Sequence, residues 1–181
     1  MLDFEQSKLI VDGGSLMTKG SRPTKKSPYL VPTIVGRSKD IESMMGTGKK
    51  ENYVGDEAVS KRALLNLSYP MMKGRIRKFD EMELIWEHLF YNEIRLDPSQ
   101  HCLMMSEPLF VPLFEREKKT EIMFEKFKVP FFHLSSQGLL SLYASGRGTG
   151  TVVIFFFFLY ILYIYIFIFF FFILFFKSIK N

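Results

Sequence analysis

Apolar residues recur with a helical period in two stretches of the chain. In the first, 79–92, they follow one another at intervals of three and four residues and so share one face: Met82, Ile85, Trp86, Leu89 and Phe90. Asp80 and Glu83 have the spacing of a capping box near its start. In the second, 115–127, the residues that we expect to point inward are Ile122, Met123 and Phe127. Each stretch therefore predicts a helix.

Two shorter segments also favour helix. Residues 57–65 are rich in helix formers, and the residues from 66 to Pro70 break that pattern. Residues 138–144 (GLLSLYA) are apolar enough to predict a buried helix, which Gly146 would end.

Short apolar runs bounded by turn residues predict strands. Residues 8–12 lead into an Asp-Gly-Gly-Ser turn, and residues 29–35 are interrupted by a proline, which indicates an edge strand or a bend. Further strands are expected at 103–106 and at 129–134, whereas the polar segment 38–51 is typical of a loop. Strands that alternate with helices indicate an α/β or α+β fold.

The run 152–176 differs from everything before it, since it carries no charge and holds 11 of the 20 phenylalanines. As a helix, its 25 residues would extend about 37 Å, which exceeds a hydrocarbon core of roughly 30 Å. We therefore predict a hydrophobic helix that can span a membrane, followed by a short basic tail at 177–181. Its β-branched and aromatic residues suit aggregation equally well.

The charge balance and the single cysteine narrow the function classes. Lysine and arginine number 24 against 19 carboxylates, a surplus too small to indicate a nucleic-acid partner. Cys102 alone cannot form an internal disulfide, and the first fifteen residues do not look like a cleavable signal. The histidines and Cys102 lack metal-ligand spacing. We expect the main body to lie in the cytosol.

Asp12, Gly13, Gly14 and Ser15, with Lys19 four residues on, have the composition of a phosphate-binding turn. A carboxylate can hold metal-bound water, glycines allow close backbone approach, and a hydroxyl and a cation can contact phosphate. Taken alone, the same residues are more typical of two strands joined by a turn with a solvated lysine. The pattern alone leaves both interpretations open.

Many short blocks resemble the actin family, in the same order and at the same spacing. They include IVDGGSLMTK at 10–19, YVGDEA at 53–58, IMFE at 122–125 and LSLYASGR at 140–147. The resemblance covers about residues 8–153. It implies an α/β, ribonuclease H-like ATPase fold.

The actin resemblance also implies a domain organisation. Members of the family form four subdomains around a cleft that holds ATP and a divalent metal. Here 1–151 would be the actin-like region, with 1–32 and 70–151 as the first subdomain and 33–69 as the second. The other wall of the cleft and the C-terminal cover of the first subdomain have no counterpart in this sequence, so we expect a truncated form.

Five residues receive roles from the same resemblance. Asp12 matches the carboxylate that holds metal-bound water, Gly14 and Ser15 match the phosphate-contacting turn, and Lys19 matches the phosphate lysine. Gln137 matches the catalytic residue that orients the attacking water. The implied cofactor is ATP or ADP with Mg²⁺.

Several positions depart from the family pattern. Leu16 replaces a glycine that allows the backbone to approach phosphate, and Gly13 replaces an asparagine. Ile154 stands in place of a second metal-water aspartate, and phenylalanines at 155–158 replace the rest of that loop. Lys73 stands where a histidine is usual. These changes predict a defective nucleotide cleft without ATP hydrolysis.

Three functional hypotheses follow. The first is an actin-family cytoskeletal protein of the cytoplasm, with actin or actin-binding proteins as partners. The second is a tail-anchored membrane protein, held through 152–176, with an actin-like cytosolic interaction domain. The third is a non-functional read-through product, because the run's residues are those of T-rich and A-rich codons and it interrupts a family motif.

Overall fold

The computed structural model of this protein describes residues 8–22, 27–39 and 50–153. The strands are β1 (Lys8–Gly13), β2 (Met17–Ser21), β3 (Tyr29–Pro32), β4 (Val35–Ser38), β5 (Asn52–Val54), β6 (Leu65–Ser68), β7 (Met71–Met72), β8 (Arg75–Ile76), β9 (Cys102–Glu107) and β10 (Phe131–Ser136). The helices are α1 (Asp56–Ser60), α2 (Phe79–Glu87), α3 (Leu113–Glu125) and α4 (Gln137–Ala144). A π-helical segment (His88–Ile94) and a 3₁₀ turn (Pro98–Gln100) lie between α2 and β9.

A five-stranded sheet organises the first part of the chain, in the order β10-β9-β1-β2-β3. Strands β10, β9 and β1 are parallel, whereas β2 and β3 are antiparallel to their neighbours. On one face, Leu9 and Val11 of β1 pair with Leu103 and Met105 of β9, and all four are buried. This mixed sheet with helices confirms the predicted α/β class.

The core is the cluster between this sheet face and the helices. It contains the inward residues of α2 and of the π-helical segment, namely Met82, Ile85, Trp86, Leu89, Phe90 and Ile94. Phe90 also meets Phe127 edge to face at 5.2 Å between ring centroids. The predicted inward positions of α3, Ile122 and Met123, are buried as well, and so is Phe127. The helical prediction for 115–127 is confirmed.

The segment between β3 and β9 forms two smaller sheets. Strands β5-β4-β6 form a three-stranded sheet, and β7-β8 form a hairpin. The predicted strand at 29–35 is divided at its proline, because β3 ends at Pro32 on the edge of the large sheet and β4 begins the next sheet at Val35. The interruption that the sequence indicated is therefore the point where the chain changes sheets.

One helix prediction is wrong in its extent, and another is confirmed as helical but changes helix type along its length. The helix expected at 57–65 ends at Ser60, because Leu65 is buried in β6 and pairs with Ser38 of β4. Sheet pairing here overrides helix propensity. The helix expected at 79–92 is α-helical only to Glu87 and then continues with the wider π-helical turns.

The capping box predicted near the start of α2 does not form. Lys78 is the N-cap residue, without a side-chain cap, and Asp80 lies inside the first turn. There its charge complements the positive end of the helix dipole instead.

The chain divides into two compact units, 1–140 and 141–181. Within the second unit, Gly146 ends the helix as predicted: it has a φ of 72° and its N–H donates to the carbonyl of Tyr143 at 2.9 Å. The prediction that α4 is buried is wrong, since none of its residues is buried.

Apart from its first two residues, the run 152–176 lies outside the described residues, as do 177–181 and 40–49. Among the helices of the described ranges, none has the length and apolarity needed to cross a bilayer.

Candidate functional site

Asp12 lies where the parallel strands of the large sheet end. Its Oδ1 accepts hydrogen bonds from the Ser106 hydroxyl and, at 3.2 Å, from Nε2 of Gln137. Ser106 is in register with Asp12 on the neighbouring strand β9, and Gln137 directly follows β10. Residues far apart in the chain therefore converge at the carboxyl edge of the sheet, where α/β proteins usually bind ligands.

Lys19 joins Asp12 from the antiparallel neighbour β2. The two residues face each other in the β1–β2 register, and Nζ of Lys19 lies 3.5 Å from Oδ2 of Asp12. Their side chains are 50% and 37% exposed. Because an ion pair this exposed contributes at most about 1 kcal/mol, Lys19 can turn to an incoming anion at little cost.

Thr33 stabilises the turn between β1 and β2 with two hydrogen bonds. Its hydroxyl donates to the carbonyl of Gly14 at 2.8 Å, and its N–H donates to the carbonyl of Leu16 at 2.9 Å. Thr33 is fully buried, with its hydroxyl 2.9 Å from that of the equally buried Thr18. A Cβ at Gly14 would lie 2.6 Å from the carbonyl oxygen of Met17, so the turn requires glycine there. We call residues 13–16 the phosphate turn, after the role that the family resemblance implies for Gly14 and Ser15.

Ser15 ties the phosphate turn to a second one. Its Oγ accepts a hydrogen bond from the N–H of Gly74, at 2.9 Å. Gly74 and Lys73 form the two-residue turn of the β7–β8 hairpin, both with positive φ, as a type I′ turn requires. The Leu16 side chain is 77% exposed and therefore lies on the solvent side of the phosphate turn.

The donor set fits a phosphate with a divalent cation. A lysine ammonium, a serine hydroxyl and a glycine turn suit phosphate oxygens. No cluster of three or more histidine, cysteine or acidic side chains that could ligate a metal occurs within the described ranges. A single carboxylate such as Asp12 suits Mg²⁺, which keeps several waters and takes only one or two carboxylates beside the phosphates.

The structure thus brings all five predicted residues to one edge of the large sheet. Lys19 and Gln137 each contact Asp12, and Gly14 with Ser15 belongs to the turn that begins one residue later. Sequence reasoning missed Ser106, Thr33 and Gly74. Ser106 had a usable signal, because it ends the predicted strand 103–106 as Asp12 ends the strand 8–12.

A comparison with protein families gives a match to the family model described as Actin, over residues 4–154. The chain belongs to the actin family. The matched range of this actin-family chain includes strands β1 to β10, helices α1 to α4 and all five predicted site residues.

Proposed function

We propose that this actin-family chain is a cytoskeletal protein that binds ATP or ADP with Mg²⁺ weakly, through the phosphates, and does not hydrolyse ATP. The observation that carries the proposal is the convergence of Asp12, Lys19 and Gln137 beside a turn that only glycine can form.

Each residue has a role that follows from its chemistry. The phosphate turn would receive phosphate oxygens at Gly14 and Ser15, and Lys19 would neutralise their charge. Asp12 would hold Mg²⁺ through a water molecule. The Gln137 amide, already 3.2 Å from Asp12, is the group that would orient a water near the phosphate.

The absence of hydrolysis rests on the sequence at 154–158. Phosphoryl transfer is accelerated by charges and donors that surround the transferred group in the transition state. Ile154 and the four phenylalanines after it offer neither charge nor side-chain donor where the family has its second loop. One carboxylate and one lysine therefore bind the ground state without completing the electrostatic clamp.

Isothermal titration of the full-length chain with excess Mg-ATP tests the binding. We expect saturable binding with a Kd on the order of 0.1 to 1 mM, since even 1 mM reflects about 4 kcal/mol. Asp12→Ala should abolish it, whereas Glu121→Gln, an exposed carboxylate on α3, should leave it unchanged. Binding in the low micromolar range, or binding indifferent to Asp12→Ala, would contradict the proposal.

The proposed subdomains and partners follow from the family. The three-stranded sheet and α1 fall within 33–69, and every strand of the large sheet falls within 1–32 and 70–151, which supports the proposed division. We expect a cytoplasmic, cytoskeletal location with actin or actin-binding proteins as partners. Such an interaction would be detected if the full chain sediments together with actin filaments and stays in the supernatant when filaments are left out.

The uncharged run at 152–176 favours a second candidate, an actin-like interaction domain attached to a membrane. Carbonate-resistant membrane association that disappears on deletion of 152–181 would support it. Recovery of the full chain from cells without detergent would rule it out.

A further inference from the structure

One buried carboxylate, that of Glu115, is not part of the proposed nucleotide site. It contacts the β7–β8 hairpin, whose Gly74 donates a hydrogen bond to Ser15 of the phosphate turn. Glu115, in the first turn of α3, is 0% exposed. Its Oε2 accepts a hydrogen bond from Nε of Arg75 at 2.7 Å, and its Oε1 accepts one from the backbone N–H of Ile76 at 3.2 Å. Nζ of Lys119, one helical turn on, lies 3.8 Å from Oε1.

The two residues that Glu115 holds are the whole of strand β8. Strand β8 forms a hairpin with β7 that has only two residues on each side of its turn. A hairpin this short is not stable alone. Its turn residue Gly74 is the one that donates to Ser15. Glu115 therefore anchors the element that contacts the phosphate turn.

A small cavity lies between these elements. Its volume is about 20 Å³, the room of about one water molecule, and its lining includes Gly13, Gly74, Trp86 and Lys119. Nε1 of Trp86 is buried and has no hydrogen-bond partner among the described residues. Because Trp86 is the only tryptophan in the chain, its fluorescence reports this cavity alone.

We propose that Glu115 is a positioning residue for the phosphate turn: through Arg75 and Ile76 it fixes the β7–β8 hairpin so that Gly74 presents its N–H to Ser15. The consequence for ligand binding rests on the proposed function, whereas the tether itself does not.

The negative charge of Glu115 is part of this role. Its carboxylate faces the cations of Arg75 and Lys119, and an uncharged replacement would remove the larger of the two carboxylate charges, Glu115 and Glu107, that favour the charged form of the almost fully buried Lys119. Glu115→Gln preserves the size and one acceptor oxygen but removes that charge. The tether should then weaken while the packing of α3 is retained.

Amide hydrogen exchange of the full chain, followed by NMR without nucleotide, tests the tether. Glu115→Gln should speed the exchange of the Gly74 and Ile76 amides by about tenfold or more. Ser15→Ala should speed the exchange of Gly74 but not of Ile76, and the exposed control Glu121→Gln should change neither. A Gly74 amide as protected in Glu115→Gln as in the wild type would overturn the proposal.

A second variant covers the case in which Glu115→Gln does not fold. Arg75→Met removes only the partly exposed partner, and it should also speed Gly74 exchange and shift Trp86 emission to longer wavelength as water gains access to the cavity. Unchanged exchange and emission in folded Arg75→Met would overturn the tether.

A Mg-ATP titration separates the tether from the proposed function. If the wild type binds, Glu115→Gln should raise the Kd at least about fivefold, and an unchanged Kd would contradict the coupling to the phosphate turn. If the wild type does not bind, the proposed function fails and the exchange result alone decides the tether.

Discussion

Asp12 and Glu115 are two carboxylates connected to the same turn, in opposite environments. Asp12 is 37% exposed and its charged partner Lys19 is half exposed, so both can exchange partners with water or a ligand. Glu115 is fully buried between Arg75 and Lys119, and its contacts are not open to exchange. The comparison shows that solvent exposure, rather than residue type, decides whether a carboxylate is free to bind a ligand or is committed to stabilising the fold.

The largest expected effect is on folding stability. Glu115→Ala should lower the free energy of unfolding by about 3 to 5 kcal/mol, because it removes the buried carboxylate that pairs with the buried Lys119 and accepts hydrogen bonds from Arg75 and Ile76. Asp12→Ala should cost about 1 to 2 kcal/mol, because its ion pair with Lys19 is exposed and water can replace the carboxylate at the partly exposed Ser106 and Gln137. Denaturant titration of both variants measures the contrast, and equal losses would erase the distinction between the two carboxylates.

Gly14→Ala tests the shape of the phosphate turn. The added methyl would lie 2.6 Å from the Met17 carbonyl oxygen, so we expect a loss of about 1 to 3 kcal/mol in the free energy of unfolding. Gly148→Ala is the matched control, because a Cβ there meets nothing within 4 Å, and it should stay within about 0.5 kcal/mol of the wild type. Similar stabilities for the two variants would show that the turn accepts a side chain.

Leu16→Gly tests whether the exposed Leu16 side chain limits access to the phosphate turn. Removing the exposed side chain should let phosphate approach the backbone more closely and tighten Mg-ATP binding by about fivefold, or 1 kcal/mol. Isothermal titration against the wild type gives the answer. An unchanged Kd would mean that Leu16 does not obstruct the turn.

The smallest expected effect is the pH dependence caused by Lys119. Burial lowers the pKa of Lys119 below its usual 10.5, against the opposing influence of Glu115. Between the folded-state pKa and 10.5 the unfolded chain binds more protons, so the free energy of unfolding should rise with pH through that window. Lys119→Met should remove this rise. Urea titrations from neutral pH to pH 10 would check it, and an identical slope in both proteins would count against the assignment.

The features that were predictable from the sequence are those within one element or one turn. The apolar run in 8–12 and the Asp-Gly-Gly-Ser turn located β1 and the phosphate turn, and the spacing in 115–127 located the inward face of α3. Gln137 was identified only through the resemblance to the actin family, because no local sequence pattern marks it.

The remaining features depend on register and on packing between distant segments. Ser106 reaches Asp12 only because β9 pairs with β1 in one particular register, and Glu115 is buried only because β8 meets α3. The apolar residues of α4 look the same in sequence whether they are covered or not. Local pattern therefore could not give the burial of Glu115 or the exposure of α4.

The most direct measurement is phosphate release by the full-length chain under conditions where Mg-ATP binding is also recorded. We predict weak binding that Asp12→Ala abolishes, with no release of phosphate above the uncatalysed rate. Sustained release that falls on Gln137→Ala would contradict the central claim that one phosphate site binds ATP without assembling the machinery to cleave it.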